Sequence, residues 1–203
     1  CGTSNALRGC CNDALQMKAH LDKHGFQVTM LCDDSPGVSH GSPSRQNILC
    51  HLLDLVNKAN SSPNSQLVIH YSGHGSSTND RNGDELDHRD ELIVTVDNQG
   101  ITDDELMEHF VSKLNPDVKC FCLFDSCHSG SVLDLEYRLE SNNKCVVENK
   151  NGKVESDVLC ISGCRDDQCS ADAYIGGEKK YAGAMTYTFF NAYDDNKSSH
   201  QIV

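Results

Sequence analysis

Residues 119–130 read Lys-Cys-Phe-Cys-Leu-Phe-Asp-Ser-Cys-His-Ser-Gly, and the change of character halfway along decides the fold. Cys120, Phe121, Cys122, Leu123 and Phe124 form an unbroken apolar run, the pattern of a strand covered on both faces. Asp125, Ser126, Cys127, His128, Ser129 and Gly130 follow at once, small and polar, as suits a tight loop at a strand's end. The same grammar recurs upstream, where residues 67–71 (Leu-Val-Ile-His-Tyr) are strand-like and run into Ser72, Gly73, His74 and Gly75. In open α/β sheets, ligands and catalytic groups gather at the carboxyl ends of strands. Two such ends would present a cysteine, Cys127, and a histidine, His74. A thiol reacts well near neutral pH only beside a base or a cation, and imidazole supplies one. Cys127 is therefore the candidate nucleophile and His74 the candidate acid and base. The backbone N–H groups of Gly75 and Cys127 are the candidate oxyanion hole.

The bulk properties narrow the setting. A length of 203 residues suits one domain with a substantial core. Only 37% of residues are hydrophobic and 6% aromatic, which predicts a compact core with long polar loops. The formal net charge of -13 argues against nucleic acid or an anionic membrane as partner and favours a cationic one, a metal ion or a basic peptide. No apolar run approaches the roughly 20 residues of a membrane span. The twelve cysteines include no Cys-x-x-Cys pair, and Cys32, Cys120, Cys122 and Cys160 sit in apolar runs, so reduced thiols and a cytoplasmic location are expected.

Taken in order, helical spacing covers 5–24, with Gly25 as a stop, and 26–32 reads as a strand. After a turn-rich loop, Ser44 can cap a helix whose apolar face carries Ile48, Leu49, Leu52, Leu53 and Val56. Residues 66–71 form the next strand, 76–90 a long polar loop, and 92–96 a short strand. Thr102 and Glu105 make a capping box for a helix running to about Leu114. The strand at 119–124 comes next, then a polar, mobile segment at 140–156, a strand at 158–162 and a last helix at 183–193. Strands alternating with helices predict a mostly parallel sheet with helices on both faces.

Two acidic features accompany the Cys–His pair. Eleven carboxylates against two arginines lie between Asp80 and Glu108. Asp90, Asp97, Asp103 and Asp104 flank one short strand that could gather them at a rim, where a calcium ion, which takes six to eight oxygen ligands, would relieve their repulsion. An EF-hand does not fit, because anchoring its glycine at Gly83 puts Thr78 first and Arg89 last. Asp13 and Asp125, if both face the nucleophile, make an anionic pocket for an Arg or Lys side chain.

The ordered set of motifs is more specific than any one of them. Leu7–Ala14 (LRGCCNDA), 71–76 (YSGHGS), 124–131 (FDSCHSGS), 161–168 (ISGCRDDQ), 170–173 (SADA) and 183–189 (GAMTYTF) together resemble a type I metacaspase, over about residues 2–193. The resemblance implies a caspase-like three-layer α/β sandwich and a cysteine endopeptidase that cuts after Arg or Lys in peptide or protein substrates. It maps the dyad to His74 and Cys127, and the basic-residue pocket to Asp13, Ser72 and Asp125 with Cys10 alongside. Its calcium acids fall on Asp90, Asp103, Asp104 and Asp134. It further implies calcium activation, a monomer, and self-cleavage, for which Lys144, Lys150 and Lys153 are available. Measured against the family, residues 1–203 read as a single peptidase domain and a fragment, lacking the first strand and the C-terminal end, with Cys169 where threonine is common. The rival expectation is a catalytically silent calcium-binding interaction module on the same fold.

Overall fold

The computed structural model describes residues 6–34, 39–80, 82–83, 88–139, 143–149, 151–163, 172–175 and 180–193. Its centre is a parallel sheet of three strands, β1 (Gln66–Ser72), β5 (Lys119–Asp125) and β8 (Asp157–Ser162), in the order β1-β5-β8. β5 is buried on both faces, and its alternation assigns each face to a different helix layer. Cys120, Cys122 and Phe124 pack with Val56 of α2 (Arg45–Asn60) and Leu106 of α3 (Asp103–His109). Leu123, one step out of phase, packs with Met17 of α1 (Cys10–Lys23) and Phe189 of α4 (Ala184–Ala192). Helices therefore cover both faces, as expected of a three-layer α/β sandwich. Burial pushes the Cys160 thiol of this core up to about 12, with Cys120 adding to the effect, which holds it in its neutral form.

The helix signals act where the sequence put them. Ser44 caps α2 by accepting the Asn47 N–H, and Thr102 and Glu105 form a full capping box on α3. Glu105 also receives both terminal nitrogens of Arg45, at 2.8 and 2.6 Å, which ties the start of α2 to the start of α3. That contact fixes the helix end carrying Asp103 and Asp104.

Three expectations about segments need correction, and one strand pair was not foreseen. Residues 76–90 are not all loop, because β2 (Gly75–Asn79) pairs antiparallel with β3 (Arg89–Val94), which in turn pairs with β4 (Gly100–Thr102). The segment at 140–156 contains half of a hairpin, β6 (Tyr137–Leu139) against β7 (Cys145–Val147). β9 (Asp172–Ile175) and β10 (Lys180–Gly183) form a further antiparallel pair ahead of α4. Residues 26–32, read as a strand, have no ladder partner among the described residues. Together with the neighbouring edge of β1, that segment lines a cavity of about 1260 Å³. Extended backbone without a partner to bond is not a strand.

The cysteines also depart from a wholly reduced set. Cys11 on α1 and Cys32 form a disulfide, with Cα atoms 6.3 Å apart. Cys10, Cys50, Cys120, Cys122, Cys127, Cys145 and Cys160 are in no disulfide, while Cys1, Cys164 and Cys169 lie outside the described residues. A bridge closing a loop of 21 residues constrains the unfolded chain by about 3 kcal/mol. Cys32→Ser is expected to lower stability by about that amount in non-reducing urea titrations, and the difference should vanish with a dithiol reductant present. Equal midpoints without reductant would show that the bridge does not form. Among the described residues, no helix is long and apolar enough to cross a membrane.

Candidate active site

β1 and β5 run parallel and in register, so Ser72 lies opposite Asp125 and the two loops that follow leave the sheet side by side. The Gly73 N–H donates to the Asp125 carbonyl at 3.2 Å. Two residues further on, contact between the loops is closer still. A Cβ built on Gly75 would lie 1.8 Å from the Cys127 carbonyl oxygen and 3.2 Å from Ser126 Cβ. Only glycine permits this approach, which brings the backbone of the histidine loop against that of the cysteine loop. Cys127 is half-buried and His74 exposed, at adjoining strand ends. His128, directly after the cysteine, has φ of 49°, a left-handed conformation of the kind that clusters at functional sites. His70, within β1 itself, does not join this pair: burial lowers it to about 4, and its Nε2 lies 3.2 Å from Thr186 Oγ1.

The structure brings three of the four pocket residues together. Asp13 and Asp125 are buried, at 1% and 4% exposure. Ser72 donates to Asp13 Oδ2 at 2.8 Å, and the Gly183 N–H donates to the same oxygen at 2.9 Å. Asp125 Oδ2 accepts the Thr186 N–H at 2.7 Å. Both carboxylates converge on one point: a Cβ on Gly183 would lie 2.3 Å from Asp125 Oδ2 and 2.9 Å from Asp13 Oδ2. Two buried carboxylates so close together favour a cation between them. Cys10 begins α1 half-buried and lines the same cavity as Ser72 and His74. Gly183 and Thr186 were quoted above only as part of a motif. Their role is visible once α4 is docked, because both act through backbone N–H groups.

The acid arc divides in space. Asp97 is exposed and stands apart, accepting the Arg45 N–H at 3.1 Å and a bond from the Thr95 hydroxyl. Asp90, Asp103 and Asp134 are buried, and Asp104 is half-buried. Burial pushes the Asp103 carboxyl up to about 8, with the neighbouring Asp134 charge second. Asp134 itself has φ of 48°, and Asn149 donates to it at 3.4 Å. Asn82 donates to Asp104 at 2.6 Å. A cleft of about 400 Å³ opens among Asn82, Asp104, Glu108, Asp134, Asn149 and Asn151. The donors are all oxygen-bearing and mutually repelling, which fits a hard cation such as calcium. Their spacing is open, however: among the described residues, only Cys11, Cys32 and Asp33 bring three ligand atoms within 4.8 Å of one another. Sequence reasoning missed Glu91, which is also buried within this group and faces Asp103.

Parallel central strands, helices on both faces and a Cys–His pair at the strand ends define a caspase-like α/β protein. A crystal structure of a Geobacter sulfurreducens protein shares this fold, with a TM-score of 0.65 over 92% of this chain and 72% of that one at 24% identity. The model of the metacaspase, peptidase C14 domain matches residues 2–136, a span that holds His74, Cys127, Asp13, Asp125 and the acids Asp90, Asp103, Asp104 and Asp134. Metacaspase-1 of Lodderomyces elongisporus is 34% identical over 261 aligned residues, covering 99% of this chain and 57% of that protein. Metacaspase-1A of Aspergillus fumigatus is 33% identical, covering 99% and 60%. A Trypanosoma brucei brucei protein described as inactive metacaspase-4 is 37% identical, covering 91% and 57%. The chain belongs to the metacaspase family of C14 peptidases. It spans under two thirds of the length of these relatives.

Proposed function

We propose that this chain is a calcium-dependent cysteine endopeptidase that cleaves after Arg or Lys, with Cys127 as nucleophile and His74 as acid and base. The observation that carries this reading is the convergence of Asp13 and Asp125 on the space beside Gly183, next to the loop that bears Cys127. A guanidinium or ammonium group there meets two carboxylates already held by Ser72, Gly183 and Thr186. An acidic side chain would be repelled.

With the basic side chain seated, Cys127 Sγ attacks the scissile carbonyl carbon and its proton passes to His74. The oxyanion that forms is held by the N–H groups of Gly75 and Cys127. Collapse breaks the C–N bond, and His74 returns its proton to the leaving amine. A water, giving its proton to His74, then attacks the thioester and frees the thiol. Calcium, when bound by Asp90, Asp103, Asp104 and Asp134, would supply the charge that lets these acids remain ionised side by side.

Lys144, by the β6–β7 turn, and Lys153 are exposed and are the proposed self-cleavage positions; Lys150 lies outside the described residues. The molecule is proposed to act as a monomer in the cytoplasm. The rival is a silent calcium-binding module, since one relative is described as inactive. Against it stand the Cys127 and His74 side chains themselves, present at adjoining strand ends.

Hydrolysis of short Arg-ended and Asp-ended peptides, with and without calcium, tests the reading. Turnover confined to the Arg peptide supports it, and cleavage of the Asp peptide contradicts the pocket assignment. The Asp103→Asn, Asp104→Asn double variant should weaken calcium binding at least about tenfold, the loss typical of disturbing even outer-shell groups. Titration calorimetry measures this directly, and an unchanged affinity would move the calcium site elsewhere.

A further inference from the structure

β3 touches both loops of the candidate dyad. Towards its carboxyl end, the Val94 N–H donates to the His74 carbonyl at 2.9 Å, and Ile93 pairs with Gly75. The Tyr71 hydroxyl reinforces this junction, lying 2.8 Å from the His74 carbonyl oxygen and 2.9 Å from that of Val94. In the middle of β3, Glu91 reaches the other loop, and its Oε2 accepts the Ser131 hydroxyl at 2.7 Å. Ser131 is four residues after Cys127 and leads directly into Val132 and Leu133, both buried in the core.

Glu91 is an unusual residue for this place. It is 1% exposed and shares its face of β3 with the buried Ile93, where an apolar residue would cost less. A buried carboxylate is tolerated when its bonds are made, and the bond from Ser131 ties this one to the nucleophile loop. The Glu91 N–H in turn donates to Asp103 Oδ2 at 2.6 Å, so the acid group and the cysteine loop are joined through this one residue. Within the loop, Ser129 donates to the Ser126 carbonyl at 2.8 Å and stiffens the turn between Cys127 and Ser131.

We propose that Glu91 is a positioning residue: through the Ser131 hydroxyl it holds the Cys127 loop at a set distance from the His74 loop, both being hung from β3. This rests on Cys127 and His74 being the dyad. Because the bond orients the nucleophile and does not touch substrate, its loss should appear in kcat and leave KM nearly unchanged. A hydrogen bond to a charged group accounts for a change of about 10- to 100-fold.

The test compares Ser131→Ala, Ser131→Thr, Glu91→Ala and the Glu91→Ala, Ser131→Ala pair on an Arg-ended peptide with calcium present. Alkylation of Cys127 by iodoacetamide is followed in parallel across pH. Ser131→Ala should lose about 10- to 100-fold in kcat, with KM within about twofold, and slow the His-assisted alkylation. Ser131→Thr keeps the hydroxyl and should recover most of that loss. The double variant should lose no more than the worse single one, since both remove the same bond. Wild-type kcat in Ser131→Ala, equal losses in the Thr and Ala variants, or additive losses in the pair would each overturn the proposal. If Glu91→Ala does not fold, the Ser131 comparison decides alone. A Cys127→Ala control that still turns over peptide would instead show that the dyad assignment is wrong.

Discussion

Asp125→Asn is expected to lower kcat/KM for an Arg-ended peptide by about 100- to 1000-fold while leaving the fold intact. The asparagine still offers an oxygen to the Thr186 N–H, which Asp125 accepts at 2.7 Å, so α4 keeps its anchor. What disappears is one of the two charges that converge beside Gly183. Removing one partner of a buried charge pair costs about 3–5 kcal/mol, and each 1.36 kcal/mol is a factor of ten in rate. Asp13→Asn should act in the same direction, and more mildly on stability, because Ser72 and Gly183 can still donate to its carbonyl oxygen. The informative control is a Gln-ended peptide, neutral and shorter than Arg. Its slow turnover should change little, so the Arg-to-Gln preference collapses. A preference that survives both substitutions would place the basic side chain elsewhere.

Gly75→Ala carries the other large effect. The added methyl would sit 1.8 Å from the Cys127 carbonyl oxygen, and the obstacle is backbone rather than a side chain that could swing away. The histidine and cysteine loops must therefore part. Reaction geometry tolerates little of this, and a displacement of about 1 Å costs on the order of 100-fold. The expected result is a fall in kcat of at least that size, with Cys127 alkylation slowed alongside. The sheet core should survive, because the clash lies beyond the last paired residues of β1 and β5. Near-normal kcat in Gly75→Ala would mean that the two loops do not need this contact.

The central strands were legible because burial on both faces leaves a simple mark: residues 120–124 are apolar without interruption, and 67–71 are broken only by His70. The polar turns behind them announced the strand ends, and so the positions of His74 and Cys127. Segments whose structure depends on a distant partner left no such mark. Gly75–Asn79 reads Gly-Ser-Ser-Thr-Asn and becomes a strand only because β3 supplies its ladder. Residues 26–32 alternate well enough for a strand and lack a partner among the described residues. Cys11 and Cys32 stand in unremarkable contexts, and pairing cannot be deduced from spacing alone. In the pocket, carboxylates advertise themselves by chemistry, whereas Gly183 matters through an N–H group and a missing side chain. Glu91 was hidden in a run of acids, where only its burial separates it from a solvated charge.

The most direct test of this account is hydrolysis of a short Arg-ended fluorogenic peptide with and without millimolar calcium, run on the wild-type chain and on Cys127→Ala. The account predicts calcium-dependent turnover in the wild type and none above background in the variant. Equal turnover in the two proteins, or silence from folded wild-type protein with calcium present, would contradict it.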